Sequence, residues 1–309
     1  MAENERTVSL SWRGIPYECR IVTADRPQTT EPLLIVGGGV QDVHAWPRLE
    51  RRLTAHTAVI VPKLPDLDDA PDPTEHDFDT FIDALCHALD ELGIERVNFL
   101  GVSYGAPLAF RMARAHPGRV ARLLLAGATP SLNPAMAVLT RDLVERPRRS
   151  DDEDLERTTD EVFAKRIVSI LLNSAEADDI DKASTVNRML HRYFMHHAAT
   201  ARRYIASHRL LLDQELYPPG GLDGVPALVF TGEHDQTSTP EEARAVAATI
   251  SGSTFLLIKN ADHMAHLERE AEYADLVIRF IHDRSLDGLD YCTPPERPHT
   301  PSSAAPVRT

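Results

Sequence analysis

The sequence predicts an α/β fold: a mostly parallel sheet of eight strands with helices on both faces and a helical segment inserted after the sixth strand. Three observations carry this. Short apolar runs alternate with stretches of helical periodicity through the first part of the chain, the alternation stops between Thr129 and about Gly221, and it resumes at Val225. Strands joined through helices form parallel sheets with right-handed crossovers, and ligand sites then lie at the carboxyl ends of the strands.

The elements follow in order. Thr7–Trp12 and Tyr17–Thr23 alternate around Arg13-Gly14 and read as an opening antiparallel pair. Leu33–Val36 begins the parallel part, and Ala58–Pro62 is the fourth strand. Phe78, Phe81, Ile82, Leu85, Leu89 and Leu92 recur at helical spacing and end at Gly93, a C-terminal helix signal. Val97–Leu100 is a buried strand, Leu108, Ala109, Met112 and Ala113 mark the helix after it, and Val120–Ala126 is the sixth strand. Val225–Gly232 and Ser253–Asn260 complete the eight.

The segment 129–221 is expected to be a lid, its apolar positions Met136, Leu139, Leu143, Ile167, Ile170, Leu171, Met189, Tyr193, Phe194, Tyr204 and Leu211 serving mostly as packing and in a minority as cavity wall. Residues 1–128 and 222–284 are expected to form the α/β core. After Arg284 prolines crowd among small and polar residues, so 285–309 is expected to be a disordered tail. The acidic run Lys63–Pro73 and the charged link Arg146–Asp154 read as solvated loops.

Composition bounds the function. With 309 residues and 42% hydrophobic content the chain can bury a sizeable core as one unit. A net charge of -14 argues against nucleic acid as a partner, because phosphate contacts need clustered Lys and Arg. No apolar run is long enough for a membrane span, and the charged start Met1–Arg6 is not a signal peptide. Cys19, Cys86 and Cys292 are odd in number and far apart, which suggests a reducing, cytoplasmic setting rather than a disulfide framework. Cys86 lies on a helical face as a small core residue. His191, His196, His197 and His208 lack the spacing of a helical zinc pair, so no metal is expected.

The chemistry-bearing stretch is Gly101-Val102-Ser103-Tyr104-Gly105, set between an apolar strand and a helix. A strand-to-helix reversal this sharp holds a serine in a strained conformation and exposes its hydroxyl above the sheet, with the glycines keeping side chains out of the crowded turn. A hydroxyl needs a histidine to take its proton, and that histidine needs a carboxylate to fix its tautomer. Asp235 follows the strand ending at Gly232, with Glu233 as its local rival. His263 follows the last strand, with His266 one turn later expected on the helix surface or against the lid. Asp262 reads as a solvated residue at a helix start.

With these residues in place the chain resembles the alpha/beta hydrolase superfamily, of the lid-bearing kind, from about residue 5 to about 284. The resemblance implies the alpha/beta-hydrolase fold, with Ser103 as nucleophile, Asp235 as acid and His263 as base. It implies oxyanion donors from the backbone N–H of Tyr104 and from the loop after the third strand, Gly37-Gly38-Gly39-Val40. That loop departs from the family, which usually has His-Gly there. Aligning Trp46 makes Gly39 the expected donor, with Gly38 and Val40 still open. Each such donor lowers a barrier by about 2.7 to 4 kcal/mol. A phosphate-binding reading fails because neither Gly-x-Gly-x-x-Gly nor a Walker lysine follows.

The expected activity is that of a serine hydrolase of esterase, thioesterase or lactonase type. It would cleave a small or medium apolar carboxylic ester, thioester or lactone through an acyl-enzyme, with no cofactor and a small-molecule acyl substrate as its partner. A carbon–carbon bond hydrolase or an acyltransferase could use the same residues. A clamp for a substrate carboxylate would favour the former, and the sequence places Arg111 and Arg188 too weakly to assign them that role. A ligand receptor without turnover is the reading from a different class.

Overall fold

The computed structural model describes residues 4–38, 43–65, 77–145, 153–207 and 210–298. Its strands are β1 (Glu5–Trp12), β2 (Ile15–Val22), β3 (Leu33–Val36), β4 (Val59–Lys63), β5 (Val97–Val102), β6 (Val120–Ala126), β7 (Ala227–Gly232) and β8 (Thr254–Ile258). They form one sheet in the order β1-β2-β4-β3-β5-β6-β7-β8. β2 pairs antiparallel with both β1 and β4, and every other pairing is parallel. The β1–β2 hairpin turns through Arg13 and Gly14 at φ 49° and 84°, the two positive values that a tight primed turn requires.

The helices are α1 (Pro47–Leu53), α2 (Phe78–Glu91), α3 (Gly105–Ala115), α4 (Pro134–Glu145), α5 (Glu153–Leu171), α6 (Ala183–Ser207), α7 (Leu210–Asp213), α8 (Pro240–Ala248), α9 (Ala265–Glu268) and α10 (Glu270–Ile281). Local chemistry sets several of their ends. Asp77 caps α2 by accepting from Thr80 N–H at 2.9 Å, and Thr239 and Glu242 form a reciprocal capping box on α8, behind which Pro240 presets the first turn.

Helices on both faces bury β3, β5, β7 and β8 completely, which is why these strands are apolar runs rather than alternating ones. Alternate residues still choose opposite faces. Leu34, Val36, Phe99 and Val229 join the core that includes α2, α3 and α8, whereas Leu33, Ile35, Leu100 and Phe230 join the one built with α1 and α10. Four helices, α4 to α7, lie between β6 and β7, where the strand signal lapses. α4, α5 and α6 have a core of their own around Leu139, Phe163, Ile167 and Phe194, which Met264 of the sheet domain enters, whereas Leu210 of α7 joins the core of α2 and α3.

One expectation is corrected for residues 285–298. Beyond Arg284 the chain does not leave the body as a disordered tail: Leu286, Leu289 and Tyr291 pack on the core and Cys292 is buried within it. The backbone of this segment bonds to β8, with Phe255 N–H to Glu296 O at 2.9 Å and Thr293 N–H to Leu257 O at 3.0 Å. Arg244 holds Glu296 through two hydrogen bonds of 2.8 and 3.1 Å. Four apolar anchors before the prolines, together with the unpaired side of an edge strand, outweigh the polar composition. Residues 299–309, most of the acidic run (66–73) and most of the charged link (146–152) lie outside the described residues.

Candidate active site

Ser103 sits between the end of β5 and the start of α3 with φ 52°, a left-handed value in a residue that carries a side chain. The neighbouring glycines make this turn possible. A Cβ on Gly101 would stand 2.4 Å from Gly105 O, and one on Gly105 would stand 2.1 Å from Val36 O. Strand and helix therefore approach closely enough to lift the serine above the sheet.

β7 and β8 bring the other two side chains to the same edge. His263 Nε2 lies 3.2 Å from Ser103 Oγ, and His263 Nδ1 lies 2.9 Å from Asp235 Oδ2. With Nδ1–H donating to the carboxylate, Nε2 is left to accept from the serine hydroxyl. The Asp235 carboxylate is itself fixed, accepting from the backbone N–H groups of Thr237 and Ser238 at 2.8 Å each and from the Thr231 hydroxyl. The Asp235 side chain is fully buried and that of His263 only 5% exposed. Burial pulls the imidazole pKa down, but the charge and hydrogen bond of Asp235, with the charge of Asp262, outweigh it, so the net shift is upward from 6.5. Gly127, at φ 61°, runs under the imidazole: a Cβ there would lie 3.0 Å from His263 Cε1.

The local rivals go elsewhere. Glu233 accepts from Asn260 N–H at 3.3 Å on the other side of its loop. His266 is not on the helix surface: it is 5% exposed, packed against Trp46 at 4.7 Å between ring centroids, and its pKa is lowered to about 3 by burial. Asp262 is not solvated either. It is 1% exposed and accepts from the backbone N–H groups of His263 (2.7 Å) and Asn173, and burial raises its pKa to about 6. Sequence reasoning missed Glu268, also 1% exposed, whose carboxylate accepts from Asp262 N–H at 2.7 Å. Its only sequence signal is a position five residues after the base, among residues that otherwise read as an exposed helix.

A cavity of about 500 Å³ borders Ser103 and His263, a size usual for small-ligand sites. Gly38 and Tyr104 line it, while Gly39 and Val40, the other candidates for the loop donor, lie outside the described residues. The helical insertion contributes more wall than expected: Met136, Ile167, Leu171, Met189, Tyr193, Phe194 and Leu211 all line the cavity. Its basic lining residues, Arg48 and Lys182, are exposed. Arg111 donates to the carbonyls of Leu216 and Glu215, and Arg188 borders a separate polar cavity. Among the described residues no group of three or more His, Cys, Asp or Glu is placed to hold a metal ion, and no helix is long and apolar enough to cross a membrane.

A hydroxyl, an imidazole and a buried carboxylate in series beside an apolar cavity can support acyl transfer through a covalent intermediate. Comparison with known proteins points to the same architecture. The chain is 23% identical over 291 residues to the (R)-3-hydroxydecanoyl-ACP:CoA transacylase of Pseudomonas aeruginosa, covering 91% of each chain. It is 24% identical over 257 residues to the 2-hydroxymuconate semialdehyde hydrolase of Pseudomonas sp. (strain CF600), covering 81% of this chain and 86% of that protein. The crystal structure of the enol-lactonase from Burkholderia xenovorans LB400 superposes with a TM-score of 0.69 at 21% identity, over 89% of this chain and all of that one. The profile of the alpha/beta hydrolase fold matches residues 31–270, and the chain belongs to the alpha/beta hydrolase family.

Proposed function

We propose that this protein is a serine hydrolase that cleaves a small or medium apolar carboxylic ester, thioester or lactone. The observation that carries the reading is the run of two hydrogen bonds from Ser103 through His263 to buried Asp235 at the wall of an apolar cavity. Ser103 Oγ attacks the acyl carbon as His263 Nε2 takes its proton. The backbone N–H groups of Tyr104 and Gly39 hold the oxyanion. The imidazolium then protonates the leaving alkoxide or thiolate. Water, deprotonated by His263, releases the acid and restores the serine. No step calls on a cofactor. The helices between β6 and β7 act as the lid over this cavity, and the three free thiols fit a cytoplasmic location.

The substrate class rests on the cavity wall. Its apolar lining suits a hydrocarbon acyl group, and its exposed basic residues, Arg48 and Lys182, leave the polar end toward solvent. A carbon–carbon hydrolase acting on a carboxylate-bearing substrate would need a buried cationic clamp, which neither Arg111 nor Arg188 supplies. Acyl transfer to a thiol acceptor is the second reading, favoured by the likeness to a transacylase along 91% of the chain. A fluorophosphonate probe followed by peptide mass spectrometry should label Ser103, and no labelling of folded protein would turn the reading to a receptor. A panel of p-nitrophenyl esters, thioesters and lactones, with and without a thiol acceptor, tests the substrate class against Ser103→Ala.

A further inference from the structure

We infer that the C-terminal end of α5 is a bridge that holds the acid and base loops in register, and that Gln236 and Asp262 are positioning residues for the Asp235–His263 pair. The inference rests on the hydrolase reading for its importance, though not for its geometry. The last carbonyls of any helix have no partner within the helix and must find one elsewhere. Here the partner is the loop that carries Asp235. Gln236 Nε2 lies within donating distance of three carbonyls: Ser169 at 3.0 Å, Ile170 at 3.3 Å and Leu172 at 2.8 Å. Thr237 Oγ1 donates to Ile170 O at 2.6 Å.

The next residue turns to both loops. Asn173 Nδ2 donates to His234 O at 3.1 Å, on the acid loop, and Asn173 N–H donates to the Asp262 carboxylate, on the base loop. The other oxygen of Asp262 accepts from the backbone N–H of His263 at 2.7 Å. The residues flanking the acid and the residue preceding the base are thus fastened to the same turn of helix. That turn is half of a two-sided constraint, because Thr237 also donates its N–H to Asp235. A shift of the α5 end would be felt at Asp235 through Gln236 and Thr237, and at His263 through Asp262.

The bridge also links ligand to chemistry. Ile167 and Leu171, in the last turns of α5, line the cavity. A ligand that seats α5 would tighten the Asp235–His263 pair, and one that displaces it would loosen the pair. Such coupling needs no new contact with the reacting atoms: a misplacement of about 1 Å can lower a rate by about a hundredfold.

Gln236 is the residue to change, since it is neutral and alters no nearby charge. Gln236→Met keeps a similar length and volume, removes the donors and adds no charge, and Thr237→Val removes one hydroxyl donor at nearly constant volume. The expected result is a fall in kcat of about ten- to a hundredfold for Gln236→Met with KM changed less than threefold, and a smaller fall for Thr237→Val. NMR titration of His263 in the absence of substrate should show its pKa moving down toward the ordinary imidazole value in both variants. The rate of fluorophosphonate labelling at Ser103 should fall in parallel. Variants that lose thermal stability while the His263 titration stays at its wild-type position would overturn the inference. So would a loss confined to KM. If wild-type Ser103 does not label, the hydrolase reading fails, while the titration still decides whether the α5 end positions the histidine.

Discussion

Glu268→Gln should make the protein progressively more stable than wild type as the pH rises from 6 to 8. The side chain is 1% exposed, one oxygen accepts from Asp262 N–H at 2.7 Å, and the other has no hydrogen-bond partner among the described residues. Burial raises its pKa from 4.5 to about 8, and the carboxylates of Asp262 and Asp235 push the same way against the hydrogen bond from Asp262. A carboxyl group raised in this way keeps its proton in the folded chain at pH values where the unfolded chain has lost it. Stability therefore falls as pH climbs from 4.5 toward 8, by about 1.4 kcal/mol per pH unit while the difference lasts. Asp262, with a pKa of about 6, contributes its own loss mostly below that value. Above it Glu268 acts nearly alone, so the advantage of the neutral variant should grow by roughly 2 kcal/mol between pH 6 and pH 8. Glutamine still offers an oxygen to Asp262 N–H. Urea unfolding at pH 6, 7 and 8 reads the difference directly. Parallel stability curves for the two proteins would refute the reasoning, since they would mean that Glu268 ionises alike in the folded and unfolded chains.

Three further outcomes are expected. Asp235→Asn should keep the fold by circular dichroism and lower kcat by about ten-thousandfold, because the amide cannot hold the tautomer that leaves Nε2 as acceptor; near-normal activity would move the acid role to Glu233. Gly127→Ala should cost about 1 kcal/mol or more in urea unfolding, because its φ of 61° is strained for a side chain, and should lower kcat by displacing the imidazole it would crowd at 3.0 Å. The acidic limb of the kcat/KM profile should have its midpoint above 6.5, in the direction of the His263 shift, and Asp262→Asn should move that midpoint down by removing one of the charges that raise it. A wild-type midpoint below 6.5 would contradict the balance of charge over burial.

That Ser103, Asp235 and His263 come together was legible in the sequence because each follows a mostly apolar strand buried along its whole length, and a parallel sheet brings such strand ends to one edge. The turn glycines were legible for a similar reason, since Gly101 and Gly105 act on their immediate neighbours. Asp262, His266 and Glu268 were not, because their burial depends on what α5, Trp46 and α10 place over them. A polar residue in a short helix has the same local pattern whether it faces water or a core. The capping of α5 by Gln236 joins residues 64 to 67 positions apart, and no local rule connects them. Residues 285–298 were misread because proline content dominated the composition, while the four side chains that tether the segment are spread among polar ones.

β8 stands at the margin of the sheet, where a strand offers an open row of amides and carbonyls to any other chain. Residues 291–296 take up part of that row. Proteolytic clipping after Arg284 would strip this guard and bare the apolar surface on which Leu286, Leu289, Tyr291 and Cys292 pack. The trimmed molecule would then tend to recruit a second copy by strand addition, an encounter that residues 291–296 hinder by occupying the edge.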